Sequence, residues 1–282
     1  YSIQFMFYDE HGDPWVYQTI LSKTEESIRG DRLSSDGWAT SFSNNNICIR
    51  GDNVNTNTAK KVTSAAGSGN TFRRDKKWHS VTFVLDVSDE KVKIYIDGTK
   101  DDNEGPFLTT GAVNNKEPLR IGEIPGNVDR PNQYTLYITN IQFYDVALPA
   151  DFIAENYCAT RIDEIMGFPY WDHLIGYWPC DREDDFNSPV LKDYSQYGSV
   201  YGGANAGKSD MVLTGRLPKW ATRSVVEKNI CPLPDDSFYK AVFNTVDVPY
   251  QVFMWLGIEV DLDWKLEGAG WSLKYSSMES SD

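Results

Sequence analysis

The hydrophobic pattern of residues 78–98 constrains this chain more than any other feature. Trp78-His79-Ser80-Val81-Thr82-Phe83-Val84-Leu85 is followed by a polar stretch at 86–90 and then by Val92-Lys93-Ile94-Tyr95-Ile96. Alternation at period two sets Val81, Phe83 and Leu85 on one face of the first strand, and Val92, Ile94 and Ile96 on one face of the second. Asp97-Gly98 closes the second strand with residues that accept the positive φ of a tight turn. A helix would scatter these side chains around its axis, so the unit reads as an antiparallel hairpin with half its side chains in a core. The same grammar runs to about residue 145, with β-branched and aromatic residues between Gly, Asn and Asp clusters. It predicts half-buried strands at 2–8, 19–22, 38–42, 47–50, 119–121 and 134–144, and a polar surface loop over 53–70. Residues 149–156, with Pro149 early, read as a short helix that closes a β-sandwich.

Charge narrows the partners. With 41 acidic against 27 basic side chains the net charge is −14, and the longest basic group, Arg73-Arg74 with Lys76-Lys77, is interrupted by Asp75. Phosphate binding needs clustered Lys and Arg, so no nucleic-acid partner is expected, and anionic membrane surfaces are disfavoured for the same reason. No apolar run approaches the roughly 18 residues that a membrane helix needs, so no membrane insertion is expected. The 9 Trp, 16 Tyr and 13 Phe can build a sizeable core. The chain opens at Tyr1 inside an apparent strand with no initiator Met, and reads as a piece of a longer protein. Cys48, Cys158, Cys180 and Cys231 show no CxxC spacing and are too few for a disulfide framework; whether any of them pair stays open.

After residue 160 the grammar changes, with Trp, Pro and acidic residues close together. Strand-like segments follow at 174–178 and 190–194. Two helices are expected further on, at 235–243 and at 248–256, the second with Asp247 as N-cap, Pro249 in its first turn and Gly257 as its stop. No long internal repeat is present.

Trp78-His79, Lys93-Ile94-Tyr95-Ile96-Asp97-Gly98, Pro118-Leu119-Arg120-Ile121-Gly122 and Ile141-Gln142-Phe143-Tyr144-Asp145-Val146-Ala147-Leu148 occur in an order that resembles the concanavalin A-like, LamG-type jelly-roll family. The resemblance covers residues 1 to about 157. It implies two curved antiparallel sheets, often with sugar, glycan or protein binding at the loops or concave face, and sometimes a calcium ion. The family's usual opening elements come late here. Leu174-Ile175-Gly176-Tyr177-Trp178-Pro179-Cys180-Asp181, then Asp193-Tyr194-Ser195-Gln196-Tyr197-Gly198, resemble them, so residues 174–213 are expected to return and complete the same sandwich in permuted order. A truncated second jelly roll is the alternative. The segment Asp247-Val248-Pro249-Tyr250-Gln251-Val252-Phe253-Met254-Trp255-Leu256-Gly257-Ile258 resembles the C-terminal segment of alkaline-phosphatase and sulfatase-type hydrolases, with Gln251 where that family has Thr. The layout of jelly roll plus tail is similar to surface or secreted proteins of gut-type bacteria, which implies polysaccharide handling.

Sugar recognition asks for aromatic faces that stack on C–H surfaces, with amides and carboxylates alongside for the hydroxyls. Trp15 and Tyr17, near Asp13 and Gln18, fit that chemistry, as do Asn44, Asn45 and Asn46 beside Trp38. Core packing is the competing role for each ring, and the sequence leaves both open. The carboxylates of residues 181–185 with Asn187, and Asp101-Asp102-Asn103-Glu104, offer the hard oxygen ligands of calcium but lack the EF-hand pattern, and exposed acidic turns are the plainer reading. Glu259-Val260-Asp261-Leu262-Asp263 approaches the alternating acids of jelly-roll glucanases, against solvated acids as the alternative. His79 at a strand start reads as structural. Two Arg-Gly-Asp triplets, at 29–31 and 50–52, invite an integrin-ligand reading that chance also explains.

The sequence thus predicts a mostly β protein: a jelly-roll sandwich over 1–160, a strand-containing extension over 161–220 and a small helical C-terminal region over 221–282. The expected function is non-catalytic recognition of a glycan or surface protein by a secreted or cell-surface bacterial protein. Trp15, Tyr17, Trp38 and Asn45 are its candidate ligand residues, and no cofactor is required, though calcium fits the family. The alternative is an accessory part of a phosphatase- or sulfatase-type hydrolase whose catalytic domain lies elsewhere.

Overall fold

A computed structural model describes residues 1–9, 19–24, 28–29, 32–33, 37–43, 46–52, 60–65, 77–106, 116–122, 136–180, 188–198, 200–201 and 209–212. All lie in the first of two units, Tyr1–Cys231 and Pro232–Asp282. The expected helices at 235–243 and 248–256, and the acids at 259–263, lie outside the described residues.

Among the described residues the strands in chain order are β1 (Ser2–Asp9), β2 (Thr19–Thr24), β3 (Ile28–Arg29), β4 (Arg32–Leu33), β5 (Gly37–Ser43), β6 (Asn46–Asp52), β7 (Lys60–Thr63), β8 (Trp78–Asp86), β9 (Lys91–Ile96), β10 (Thr99–Pro106), β11 (Arg120–Ile121), β12 (Leu136–Tyr144), β13 (Leu174–Trp178), β14 (Val190–Leu191) and β15 (Met211–Val212), and the α-helix α1 (Ala150–Asn156) lies between β12 and β13. A six-stranded sheet runs β10-β9-β8-β1-β12-β13 and a five-stranded sheet runs β11-β2-β5-β6-β7. The protein is a concanavalin A-like jelly-roll sandwich, mostly β, as the sequence implies. β13 is the outermost strand of the larger sheet, antiparallel to β12 with Ile141 opposite Trp178.

Between the sheets lies the main core, where Phe5, Phe7, Val81, Phe83, Ile94 and Ile141 meet Ile20, Phe42, Ile47 and Ile49. Phe7 meets Phe42 edge-on at 5.4 Å between ring centroids, joining the two sheets at one point. The alternation of the β8–β9 hairpin is realised: Val81, Phe83, Leu85, Val92, Ile94 and Ile96 all face this core. Asp97 and Gly98 both take positive φ, 48° and 76°, as the two-residue hairpin turn requires. Asp97 also receives the backbone N–H of Ser80 at 2.9 Å and lies 2.7 Å from His79 Nδ1, which gives His79 a structural partner.

The expectation of half-buried strands fails for the larger sheet. Its second face is also buried: Ser2, Gln4, Ser80, Thr82 and Gln142 are each no more than 2% exposed. The segment that follows β12 crosses this face, where Val84, Tyr95 and Tyr144 pack against Leu148, Phe152, Ile153, Ile162 and Phe168 in a second core. Ser2, Gln4 and Thr82 survive here because they are hydrogen-bonded. The Ser2 hydroxyl donates to Val146 O at 3.0 Å and accepts from Leu148 N at 2.9 Å, and the Thr82 hydroxyl donates to Gln4 Oε1 at 3.0 Å.

Two further strands depart from the expected pattern. β7 lies in the stretch read as a surface loop, and β10 (Thr-Lys-Asp-Asp-Asn-Glu-Gly-Pro) carries no apolar alternation, yet pairs with β9 across a register shift. Asp101 within it is 2% exposed, against the expectation of an exposed acidic turn, because its Oδ1 accepts from the backbone N–H of Ala65 and of Asn103, both at 2.8 Å.

Ion pairs tie the outer hairpins. Lys93 reaches Asp86 at 3.0 Å and also Asp89, and Glu104 takes Lys91 and Lys100. Hydrogen bonds from Ser88 and then Lys93 hold the Asp86 carboxyl well below its usual range, and those from Lys91 and Lys100 bring Glu104 down to about 2. A depressed carboxyl contributes stability that is complete above its unfolded value, near 3.8 and 4.5 for these two, and that fades as pH falls through the folded value. Acid titration of unfolding free energy is therefore expected to fall from about pH 4.5 downward, and to fall less steeply in Asp86→Asn. Gly98 gives a second test, because a Cβ there would sit 2.7 Å from the Tyr157 ring at a φ that side chains avoid. Gly98→Ala should cost about 1–3 kcal/mol in urea unfolding. Thr99→Ala, at an exposed neighbour, should cost less than about 0.5 kcal/mol.

Candidate functional site

The segment over the second face folds as a series of tight turns, with inward apolar anchors between residues held in left-handed backbone. Arg161 at φ 52° opens a 3-10 helix, Ile162–Glu164, and Tyr170 at φ 61° opens another, Trp171–His173, which runs into β13. Gly167, at φ 70°, turns the chain between them. Ile162 and Phe168 are buried against the sheet, whereas Met166 at the turn is fully exposed.

Aromatic rings then climb from the sheet to the surface. Tyr144 meets Phe152 edge-on, Phe152 meets Phe168 at 5.9 Å and Tyr170 at 4.8 Å, and Trp171 meets Tyr201 at 6.1 Å. Burial raises the Tyr144 hydroxyl far above its ordinary pKa and keeps it a neutral donor to Gln142 Oε1 at 2.7 Å. Between the turns and Tyr201 opens a cleft of about 780 Å³, within the roughly 300–1,000 Å³ of small-ligand sites. Phe168 forms its floor, and Tyr170, Trp171 and Tyr201 stand in its wall with Asp163, Asp172 and His173 beside them.

Hydrogen bonds fix the polar members. His173 Nδ1 lies 2.8 Å from Asp145 Oδ1, and the backbone N–H of Asp145 donates to His173 O at 3.0 Å. Gln196 Nε2 donates to Asp172 O at 2.7 Å, and the Tyr201 hydroxyl lies 3.5 Å from Asp163 Oδ2. Such a lining sets aromatic rings, which attract C–H groups, beside carboxylates that accept from hydroxyl donors.

The residues singled out from sequence are placed differently. Trp38 is 3% exposed in the inter-sheet core, tilted against Phe143 at 6.0 Å, so its ring presents no face to a ligand. Its alternation with Phe42 along β5 turns both inward. Trp15, Tyr17 and Asn45 lie outside the described residues, as do the acids at 181–185. Arg50 of the second Arg-Gly-Asp triplet is 1% exposed within β6, which removes it from display. Cys158 is disulfide-bonded, Cys48 and Cys180 carry free thiols, and Cys231 lies outside the described residues. Among the described residues no three His, Cys, Asp or Glu side chains gather as a metal site would need, and no helix there is long and apolar enough to cross a membrane.

The cleft residues carried a signal in Tyr170-Trp171-Asp172-His173, where two aromatic side chains are followed by two polar ones without strand or helix period. The structure separates floor from wall. Phe168→Ala, deleting a ring that is 6% exposed, should cost about 3–5 kcal/mol of stability. Tyr201→Ala, at 51% exposure, should cost less than about 1 kcal/mol. Denaturant unfolding of the two variants checks this, and equal losses would make Tyr201 a core residue.

No curated protein matches the chain. Among solved structures, the receptor-binding domain of botulinum neurotoxin type G is 20% identical over 55% of this chain and 37% of its own, with a TM-score of 0.39. The binding domain of paraclostridial mosquitocidal protein 1 is 14% identical over 56% and 36%, with a TM-score of 0.40. The chain spans little more than a third of the length of either. A laminin G-type family model matches residues 14–154, half of the chain. The hairpin, the two-sheet core and this match agree, and the chain belongs to the concanavalin A-like lectin/glucanases superfamily.

Proposed function

We propose that this chain is a non-catalytic module that binds carbohydrate, and that the cleft over the second face of the larger sheet is its binding site. The observation that carries this reading is the set of Tyr170, Trp171 and Tyr201 rings beside Asp163 and Asp172, in a cleft of small-ligand size. Aromatic residues with one apolar face and one wet edge recur at sites where a ligand is partly polar, as sugars are. Membership of a superfamily that includes lectins supports the same reading. A disulfide at Cys158 fits an oxidising compartment, which supports secretion or display at a bacterial cell surface. The sequence candidates Trp15, Tyr17 and Asn45, and a bound calcium ion, stay part of the proposal.

A glycan array probed with the purified chain, with calcium and then with a chelator, tests the proposal. Saturable binding that falls at least about tenfold in Trp171→Ala supports it. Loss in chelator alone would add calcium to the site. Absence of glycan binding in both conditions, with capture of a surface protein instead, would overturn the carbohydrate reading.

A further inference from the structure

His173 is tied to one residue twice. Its Nδ1 lies 2.8 Å from Asp145 Oδ1, and its carbonyl accepts from the backbone N–H of Asp145 at 3.0 Å. Its own backbone N–H donates to Tyr170 O at 2.9 Å, and the Tyr170 ring stands 6.2 Å from the imidazole. Tyr170 in turn packs at 4.8 Å on Phe152, which is buried. Burial of the histidine does not account for these ties, because its side chain is 46% exposed and lines the cleft. An ionised carboxylate only accepts, so the Asp145 contact places the proton of the neutral ring on Nδ1. Nε2 then carries a lone pair, and among the described residues it has no hydrogen-bond partner. The cleft wall that holds the Trp171 ring therefore also holds a histidine whose tautomer and ring position are set in advance.

We infer that His173 Nε2 reads a sugar hydroxyl in the cleft by accepting a hydrogen bond from it, and that Asp145 is the positioning residue that fixes the tautomer. The inference rests on the carbohydrate reading above and assigns one atom of that site. A hydroxyl that donates to Nε2 fixes the orientation of a sugar whose C–H surface lies against the neighbouring rings. One hydrogen bond between neutral groups is worth about three- to tenfold in affinity. Because the acceptor is held before the sugar arrives, little of that is spent on ordering it.

Imidazole NMR tests this on the unaltered chain. The sequence has three histidines, His11, His79 and His173, so comparison with His173→Gln identifies the signals. At about pH 8, above the range in which imidazoles ordinarily take up charge, long-range proton–nitrogen spectra should show the His173 proton on Nδ1 and a bare Nε2. The Nε2 resonance should then move on titration with cellohexaose, laminarihexaose or mannohexaose, or with any glycan that the array retains. His173→Phe keeps a flat ring and removes both nitrogens, and should weaken the bound glycan about three- to tenfold. Asp145→Asn leaves an acceptor for Nδ1–H and should preserve both tautomer and affinity. Asp145→Ala should pass part of the proton to Nε2 and weaken binding as His173→Phe does. A proton on Nε2 in the free chain, or an Nε2 resonance that stays in place while a glycan saturates the chain, overturns the inference and leaves carbohydrate binding intact. Weaker binding in Asp145→Ala with the tautomer unchanged overturns the positioning role. If no glycan binds at all, the carbohydrate reading falls and this inference with it.

Discussion

The larger sheet must keep water from both of its faces, and the rest of the structure depends on how that is achieved. One face has the five-stranded sheet against it. The other carries Val84, Tyr95 and Tyr144, and the chain after β12 is laid across them. A fully buried aromatic ring removes on the order of 150–250 Å² from water, worth roughly 4–6 kcal/mol at about 25 cal/mol/Å² before ordering costs. Phe152 and Phe168 both make this contribution. Against it stand two non-glycine residues in left-handed backbone, Arg161 and Tyr170, at about 1–3 kcal/mol each. Burial exceeds the strain, so the tight turns hold.

The same economy of chain explains why a cleft exists at all. The turns that press Ile162 and Phe168 inward must turn their remaining side chains outward, and these are Asp163, Met166, Trp171 and Asp172. Glycines permit the close approaches on which this depends. Gly176 leaves room for the Trp178 ring, which would lie 2.6 Å from a Cβ there, and Gly98 does the same for the ring of Tyr157. The surface chemistry of the site is thus a by-product of the anchors beneath it: Trp171 stands in a turn between the buried Phe168 and Leu174, and Tyr201 meets it from a separate segment.

The β8–β9 hairpin was legible because each of its parts is local. Period-two alternation and the Asp97-Gly98 turn act within about twenty residues, and the core positions followed directly. β7 and β10 were not legible, because their outward side chains are polar and their pairing is supplied by β6 and β9. Trp38 was weighed as a ligand residue for its polar neighbours, but its alternation with Phe42 decides its face. Half-buried strands would leave Ser2, Gln4 and Thr82 facing solvent, and only the covering segment makes them interior. The cleft itself went unread for a similar reason. Its residues from 162 to 173 are local, yet Tyr201 joins them from almost thirty residues away.

By itself the sequence determined where most strands of the sandwich lie, which side chains of the first hairpin share a face, that the sandwich has two β layers, and that the chain carries a strong negative charge. These are consequences of side-chain periodicity and turn chemistry, which operate between near neighbours. Tertiary structure alone decided that the larger sheet is covered on both faces, that the expected return of residues 174–178 pairs with β12, and that Trp171 and Tyr201 face one cleft. Those outcomes depend on which distant segment comes to cover an apolar face, and burial is a non-directional drive that leaves no period in the sequence.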